Sequence, residues 1–150
     1  MIERIKDCVR DYTARPDALQ ADVDRMMYLD ASNGLVDGCC CLFFDPKRDQ
    51  PVLVGKAAAS EAGRAVFEHE YETLTSMHEA GMNRDRITTP IPLLHRPGDD
   101  VLITLQSAVP GELMKNIPGR KLFAPSRAEE TLQHVTDWWR LFHEKLGVDR

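Results

Sequence analysis

Apolar residues recur at Ile2, Ile5, Val9 and Tyr12, the spacing of one helical face. Pro16 interrupts the pattern and predicts that this helix ends by about Arg15, leaving a helix that could lie against a sheet. A short apolar run, Met26 to Leu29, precedes the turn-forming Asp30-Ala31-Ser32-Asn33-Gly34. Leu35 to Phe44 then reads as a strand, closed by Asp45-Pro46-Lys47-Arg48-Asp49, and Pro51 to Ala57 reads as a third. Three strand-like runs separated by two turns predict an antiparallel meander.

The period changes at Ser60, which has the chemistry of a helix cap. Val66, Phe67, Glu70, Leu74 and Met77 fall together on one side of the helix, and Gly81 suits its end. Leu93-Leu94 and Val101 to Leu105 are two further strands around the turn Arg96-Pro97-Gly98-Asp99-Asp100. After a looser stretch from Glu112 to Pro125, a last helix is expected from Ser126, which forms a capping-box pattern with Glu129. Its apolar face would carry Leu132, Val135, Trp138 or Trp139, Phe142 and Leu146, with Gly147 as its stop. The order predicts an α+β fold: a five-stranded, mainly antiparallel sheet over residues 25–110 with the 60–80 helix against it.

Composition narrows the function classes. The 150 residues are 43% hydrophobic and 29% charged, as in a folded globular domain. A net charge of −5 argues against a nucleic-acid partner, and no apolar run approaches the ~20 residues needed to cross a bilayer. The first residues lack the apolar stretch of a secretory leader. Cys39, Cys40 and Cys41 are consecutive, so a strand sends them to alternate faces and they cannot converge on a metal. With Cys8 they read as small buried thiols of a reducing cytoplasm.

Two residues carry candidate chemistry. Lys56 closes the apolar strand Val52-Leu53-Val54-Gly55-Lys56-Ala57, on the face of Val52 and Val54. It either snorkels to water or presents an amine to an anion. Glu70 lies among Val66, Phe67, Leu74 and Met77, where a carboxylate needs a partner that a lysine of the neighbouring strand would supply. Glu68 sits with Arg64, Glu72 and Thr75 on a polar surface, so Glu68→Gln is expected to do little. Asn33-Gly34 suits an ordinary hairpin turn or a backbone loop approaching phosphate. His143 reads as structural or surface-exposed. The chain contains no Gly-x-Ser-x-Gly elbow, Walker A motif or His-Glu-x-x-His.

The order strand, glycine turn, strand, strand with lysine, helix with glutamate resembles the N-terminal lobe of aminoglycoside phosphotransferase-like kinases, relatives of choline, homoserine and fructosamine kinases. The resemblance covers about Arg25 to Arg150. It implies residues 1–24 as an N-terminal helix and linker, 25–111 as a nucleotide-binding lobe, and 112–150 as a linker and the first helix leading to a missing C-lobe. Lys56 in Val-Leu-Val-Gly-Lys-Ala looks like the family's phosphate-contacting lysine. Glu70 in Phe-Glu-His-Glu-Tyr-Glu-Thr-Leu looks like the glutamate that holds it. Val101 to Gly111 looks like the fifth strand and hinge, with Ser107 where an acidic residue is frequent. Leu141-Phe142-His143 resembles the end of the family's first long C-lobe helix.

The resemblance implies ATP or GTP with magnesium in the intact protein. The nucleotide would lie under Ser32, Asn33 and Gly34, its phosphates would meet Lys56 held by Glu70, and its base would reach backbone groups near Ser107 and Val109. A small-molecule hydroxyl would accept the phosphate. The family's His-Gly-Asp-x-x-x-x-Asn motif is absent from the sequence, so no catalytic residue and no metal ligand is expected in this chain, and the chain alone should not transfer phosphate. Two other readings compete: a noncatalytic interaction or regulatory domain of kinase-like fold, and an unrelated α+β domain with Lys56–Glu70 as a structural ion pair.

Overall fold

The computed structural model describes residues 1–19, 22–31, 38–48, 50–82 and 89–109, together with 133, 135–137, 139–140 and 143–144. Two units are distinguished: Met1–Thr75 with Pro90–Val109, and Ser76–Thr89 with Pro110–Arg150.

The first unit is an α+β layer structure. Helix α1 (Ile2–Thr13) and a single 3-10 turn (Val23–Arg25) lead into β1 (Met27–Asp30), β2 (Gly38–Phe44) and β3 (Pro51–Ala58). Helix α2 (Glu61–Glu79) separates these from β4 (Pro92–Pro97) and β5 (Leu102–Ser107). All four strand pairings are antiparallel, in the order β1-β2-β3-β5-β4. The chain returns from α2 to the far edge and then inserts β5 beside β3, so β3 is the central strand.

Local chemistry accounts for the joints. Asp45 closes the β2–β3 hairpin, its carboxylate accepting from the Lys47 N–H at 2.9 Å. The Gly98 N–H donates to the Val101 carbonyl at 2.9 Å and closes the β4–β5 turn. Ser60 caps α2 as expected, its hydroxyl accepting from the Gly63 N–H at 3.1 Å.

Strand alternation divides the sheet into two faces with different work. On one, Cys39, Cys41, Phe43, Leu53, Ala57, Leu94, Ile103 and Leu105 form a core with Ile5, Cys8 and Val9 of α1. The expected apolar face of α1 is present, with Cys8 added to it and with Ile2 and Tyr12 at its margin. Arg96 fastens α1 to β4 by donating to Asp11 at 2.9 Å and to the Cys8 sulfur at 3.2 Å. The opposite face carries Lys56. There Phe67 of α2 packs with Ala58 and Leu102.

Helix α2 departs from the expected face at one point. Phe67, Leu74 and Met77 are buried, but Val66 is 49% exposed. Val66 precedes Phe67 by one position, a rotation of about 100° around the helix, and it is Phe67 that packs on Ala58 and Leu102.

In the second unit the last turn of α2 closes through the Ala80 N–H to the Ser76 carbonyl at 2.9 Å, and Gly81 takes the left-handed conformation at φ 74° that stops a helix. The described residues between 133 and 144 are helical, with the Trp139 and His143 rings edge-to-face at 4.7 Å. Val135 and Trp139, expected on an apolar packing face, are exposed. Ser126, Glu129, Leu132, Trp138, Leu141, Phe142, Leu146 and Gly147 lie outside the described residues. No helix among the described residues is long and apolar enough to cross a membrane.

The buried thiols give the core a pH limit. None of the four cysteines forms a disulfide. Burial and the Cys39 thiol, 3.6 Å away, push Cys41 from an ordinary 9.0 up to about 12. Between those values the unfolded chain has lost a proton that the folded chain keeps, so stability is full below pH 9 and falls as pH rises through the window. The slope from this one group is at most about 1.4 kcal/mol per pH unit. Urea unfolding at about pH 8 and about pH 10.5 should show that loss, and Cys41→Ala should shallow it. An equal loss in both proteins would remove Cys41 as its source.

Candidate functional site

The site is built on the face of β3 that turns away from α1. Val54 and Lys56 alternate onto this side, whereas Leu53, Gly55 and Ala57 face the core. Val52, expected beside Lys56, instead packs against the α1 core where the β2–β3 register shifts at Phe43/Phe44. The strand register sets a row across the sheet: Cys40 of β2 pairs with Lys56, Lys56 with Thr104 of β5, and Thr104 with His95 of β4. Side chains paired in this way share a face.

Lys56 and Glu70, the two residues singled out from alternation and helical position, meet. The Lys56 ammonium donates to Oε1 of Glu70, and the side chains are 15% and 36% exposed. Lys56 Nζ also lies 5.8 Å from the centre of the Phe67 ring. A half-shielded ammonium held by one carboxylate and bordered by an aromatic ring is fixed in direction while keeping donors for a second anion. Burial pushes the Cys40 thiol up, with Lys56 pulling it the other way. The neighbour of the lysine on β2 is therefore a neutral thiol.

Helix α2 brings two further groups to this face. Oε1 of Glu68 lies 3.7 Å from Nε2 of His95, and the Tyr71 ring stacks on the imidazole with centroids 5.0 Å apart. Burial pushes the Tyr71 phenol up, so it stays neutral. Glu68 is therefore not confined to a polar surface shared with Arg64, Glu72 and Thr75. Neither the His95 contact nor the place of β4 at the sheet edge was legible from spacing, because both depend on which strand inserts beside β3.

The end of β5 runs back along the start of β3. Ser107 pairs with Leu53, and the Ala108 N–H donates to the Val52 carbonyl at 3.0 Å. Both the N–H and the hydroxyl of Ser107 are engaged with Ile91, at 2.9 and 2.8 Å. Ser107 thus ties the segment entering β4 to the end of β5, and the exposed Val109 is the nearer candidate for an outside ligand. Ser32, Asn33, Gly34, Pro110 and Gly111 lie outside the described residues. Among the described residues, no group of three or more His, Cys, Asp and Glu side chains could hold a metal ion.

Comparisons with protein-family models, with curated proteins and with solved structures find no match for this chain.

Proposed function

We infer that the sheet of the first unit is the nucleotide-binding lobe of a small-molecule phosphotransferase, kinase-like in architecture. In the intact protein the γ-phosphate of ATP or GTP would pass to a small-molecule hydroxyl. The observation that carries this reading is the Lys56–Glu70 pair: a lysine on the central strand, oriented by a carboxylate of the next helix, on a sheet face left partly open. A directed ammonium is suited to neutralising phosphate charge.

The sheet order supports it. From Leu53, beside the end of β5, to Lys56 is three residues, or ~10 Å along the strand. That span matches a nucleoside lying along β3 with its base toward Val109 and its phosphates at Lys56. The Lys56 end of β3 is also the end where Gly38 begins β2, paired with Ala58. In this reading Lys56 binds and orients phosphate oxygens and Glu70 keeps it from turning to water. Magnesium, when bound, would supply further charge neutralisation, and the described residues provide no cluster for it. A cytoplasmic setting is the natural one for four cysteines outside any disulfide.

A noncatalytic interaction domain of similar fold is the second reading. Its support is the edge strand β1, where Met27 is 64% and Leu29 56% exposed. Titrating the 150-residue chain with magnesium–ATP and magnesium–GTP, followed by amide and lysine NMR signals, separates the two. Nucleotide binding should shift signals around Val54, Lys56 and Val109, without phosphate transfer above background. Unchanged spectra at millimolar nucleotide would favour the interaction domain, and stoichiometric transfer to an acceptor would refute the expected inactivity.

A further inference from the structure

We propose that His95 and Glu68 form a proton-operated clasp that sets how firmly α2, and with it Glu70, is held against the Lys56 face. The clasp deepens the nucleotide reading, on which only its effect on affinity rests.

The imidazole is in an unusual position. Nε2 of His95 is buried and has no hydrogen-bond partner, although Oε1 of Glu68 is only 3.7 Å away. That separation exceeds hydrogen-bond length by less than about 1 Å. A neutral imidazole leaves either an unmet donor or a lone pair facing a carboxylate. A protonated one presents a donor and a positive charge to the same oxygen. Protonation therefore turns an unmet contact into an attractive one and draws α2 toward β4.

The charges facing His95 leave Glu68 as the responding partner. From α2 come Glu68 and the neutral Tyr71, with Glu72 one turn beyond Glu68. From β5 comes Thr104, uncharged. On β4 itself, Arg96 is engaged on the other side of the strand with Asp11 and Cys8. Lys56, one strand beyond Thr104, is engaged with Glu70.

The helix is a suitable element to move. Within the first unit its links to the sheet and turn include Phe67 on Ala58 and Leu102, Glu70 on Lys56, Glu68 and Tyr71 at His95, and Arg64 donating to the carbonyls of Gly98 and Asp99 at 3.0 and 3.2 Å, beside the buried Leu74. A helix docked on a sheet through side chains shifts by small sliding of the packed elements. Glu68 and Glu70 share one helix, so a tighter Glu68 contact also fixes the carboxylate that directs Lys56. His95 and Glu68 are positioning residues in this scheme, acting through α2.

Histidine is the side chain whose charge ordinarily changes between about pH 8 and about pH 5.5. Amide exchange across residues 67–74, corrected for the intrinsic pH effect, should slow by about two- to fivefold on acidification over that range, as expected for a partly exposed ion pair. Glu68→Gln and His95→Gln should each remove the difference, while His69→Gln, which alters an exposed histidine of the same helix, should keep it. Glu68→Gln should match the parent chain in magnesium–ATP affinity at the higher pH and bind more weakly at the lower. Comparing the two proteins at each pH cancels the titration of the nucleotide itself. Exchange that ignores pH in the parent chain, or a pH response surviving both clasp variants, overturns the clasp whether or not nucleotide binds. Absent nucleotide binding with an intact exchange response overturns only the nucleotide reading.

Discussion

Lys56→Met weakens magnesium–ATP binding by the chain at least tenfold and leaves the sheet folded. The methionine side chain spans a similar length and is apolar, so it can occupy the path of the lysine stem over Phe67 without a cavity. What it removes is the ammonium. A charge-assisted hydrogen bond is worth about 1.5–3 kcal/mol, or roughly ten- to a hundredfold in affinity. Glu70 loses its partner but is 36% exposed and can turn to water, so the substitution strands no deeply buried charge. Glu70→Gln should act less, by about two- to fivefold, because the amide oxygen still accepts from Lys56 but attracts it less. The measurement is nucleotide titration by NMR, with circular dichroism to check folding. A folded Lys56→Met chain that binds nucleotide as the parent does would return Lys56 and Glu70 to a structural ion pair.

That pair also marks how far sequence reasoning reaches. Alternation along Val52-Leu53-Val54-Gly55-Lys56 is local, and it placed the lysine on the correct side of β3. Helical spacing placed Glu70 toward the sheet, and the need of a shielded carboxylate for a cation linked the two. The turns were legible for the same reason, since Asp45, Ser60, Gly81 and Gly98 each act within a few residues of themselves. Contacts set by strand insertion were not. His95 meets Glu68 because β5 enters beside β3 and leaves β4 at the edge, a choice made by long-range packing. Spacing points Val66 inward because it defines only an arc of helix surface, whereas it is Phe67, one position on, that packs on Ala58 and Leu102. Ser107 is a candidate ligand contact by its place at the strand end, but its N–H donates to the Ile91 carbonyl and its hydroxyl oxygen accepts from the Ile91 N–H.

Gly55→Ala destabilises the chain by about 1–3 kcal/mol without disturbing Lys56. A methyl group at position 55 would overlap Cγ2 of Ile5 in α1, and it would lie 3.2 Å from Cε2 of Phe43 and 3.3 Å from Cδ2 of Leu105. Ile5 is fully buried and β-branched, so its Cγ2 cannot swing aside as the tip of a long side chain could. Phe43 and Leu105 close the lateral directions, leaving displacement of α1 as the way to make room. Glycine at this position is what allows the helix to sit directly on the central strand. The cost must then depend on Ile5. Ile5→Ala alone should cost about 2–5 kcal/mol through the cavity it leaves, but in that background Gly55→Ala should cost at least about 1 kcal/mol less than in the parent. Urea unfolding of the four proteins of the cycle measures this, and strict additivity would show that the helix does not make the close approach. The side chain of residue 55 points into the α1 core and that of Lys56 to the opposite face. A folded Gly55→Ala chain should therefore retain nucleotide affinity within about twofold, separating the strand's structural face from its binding face.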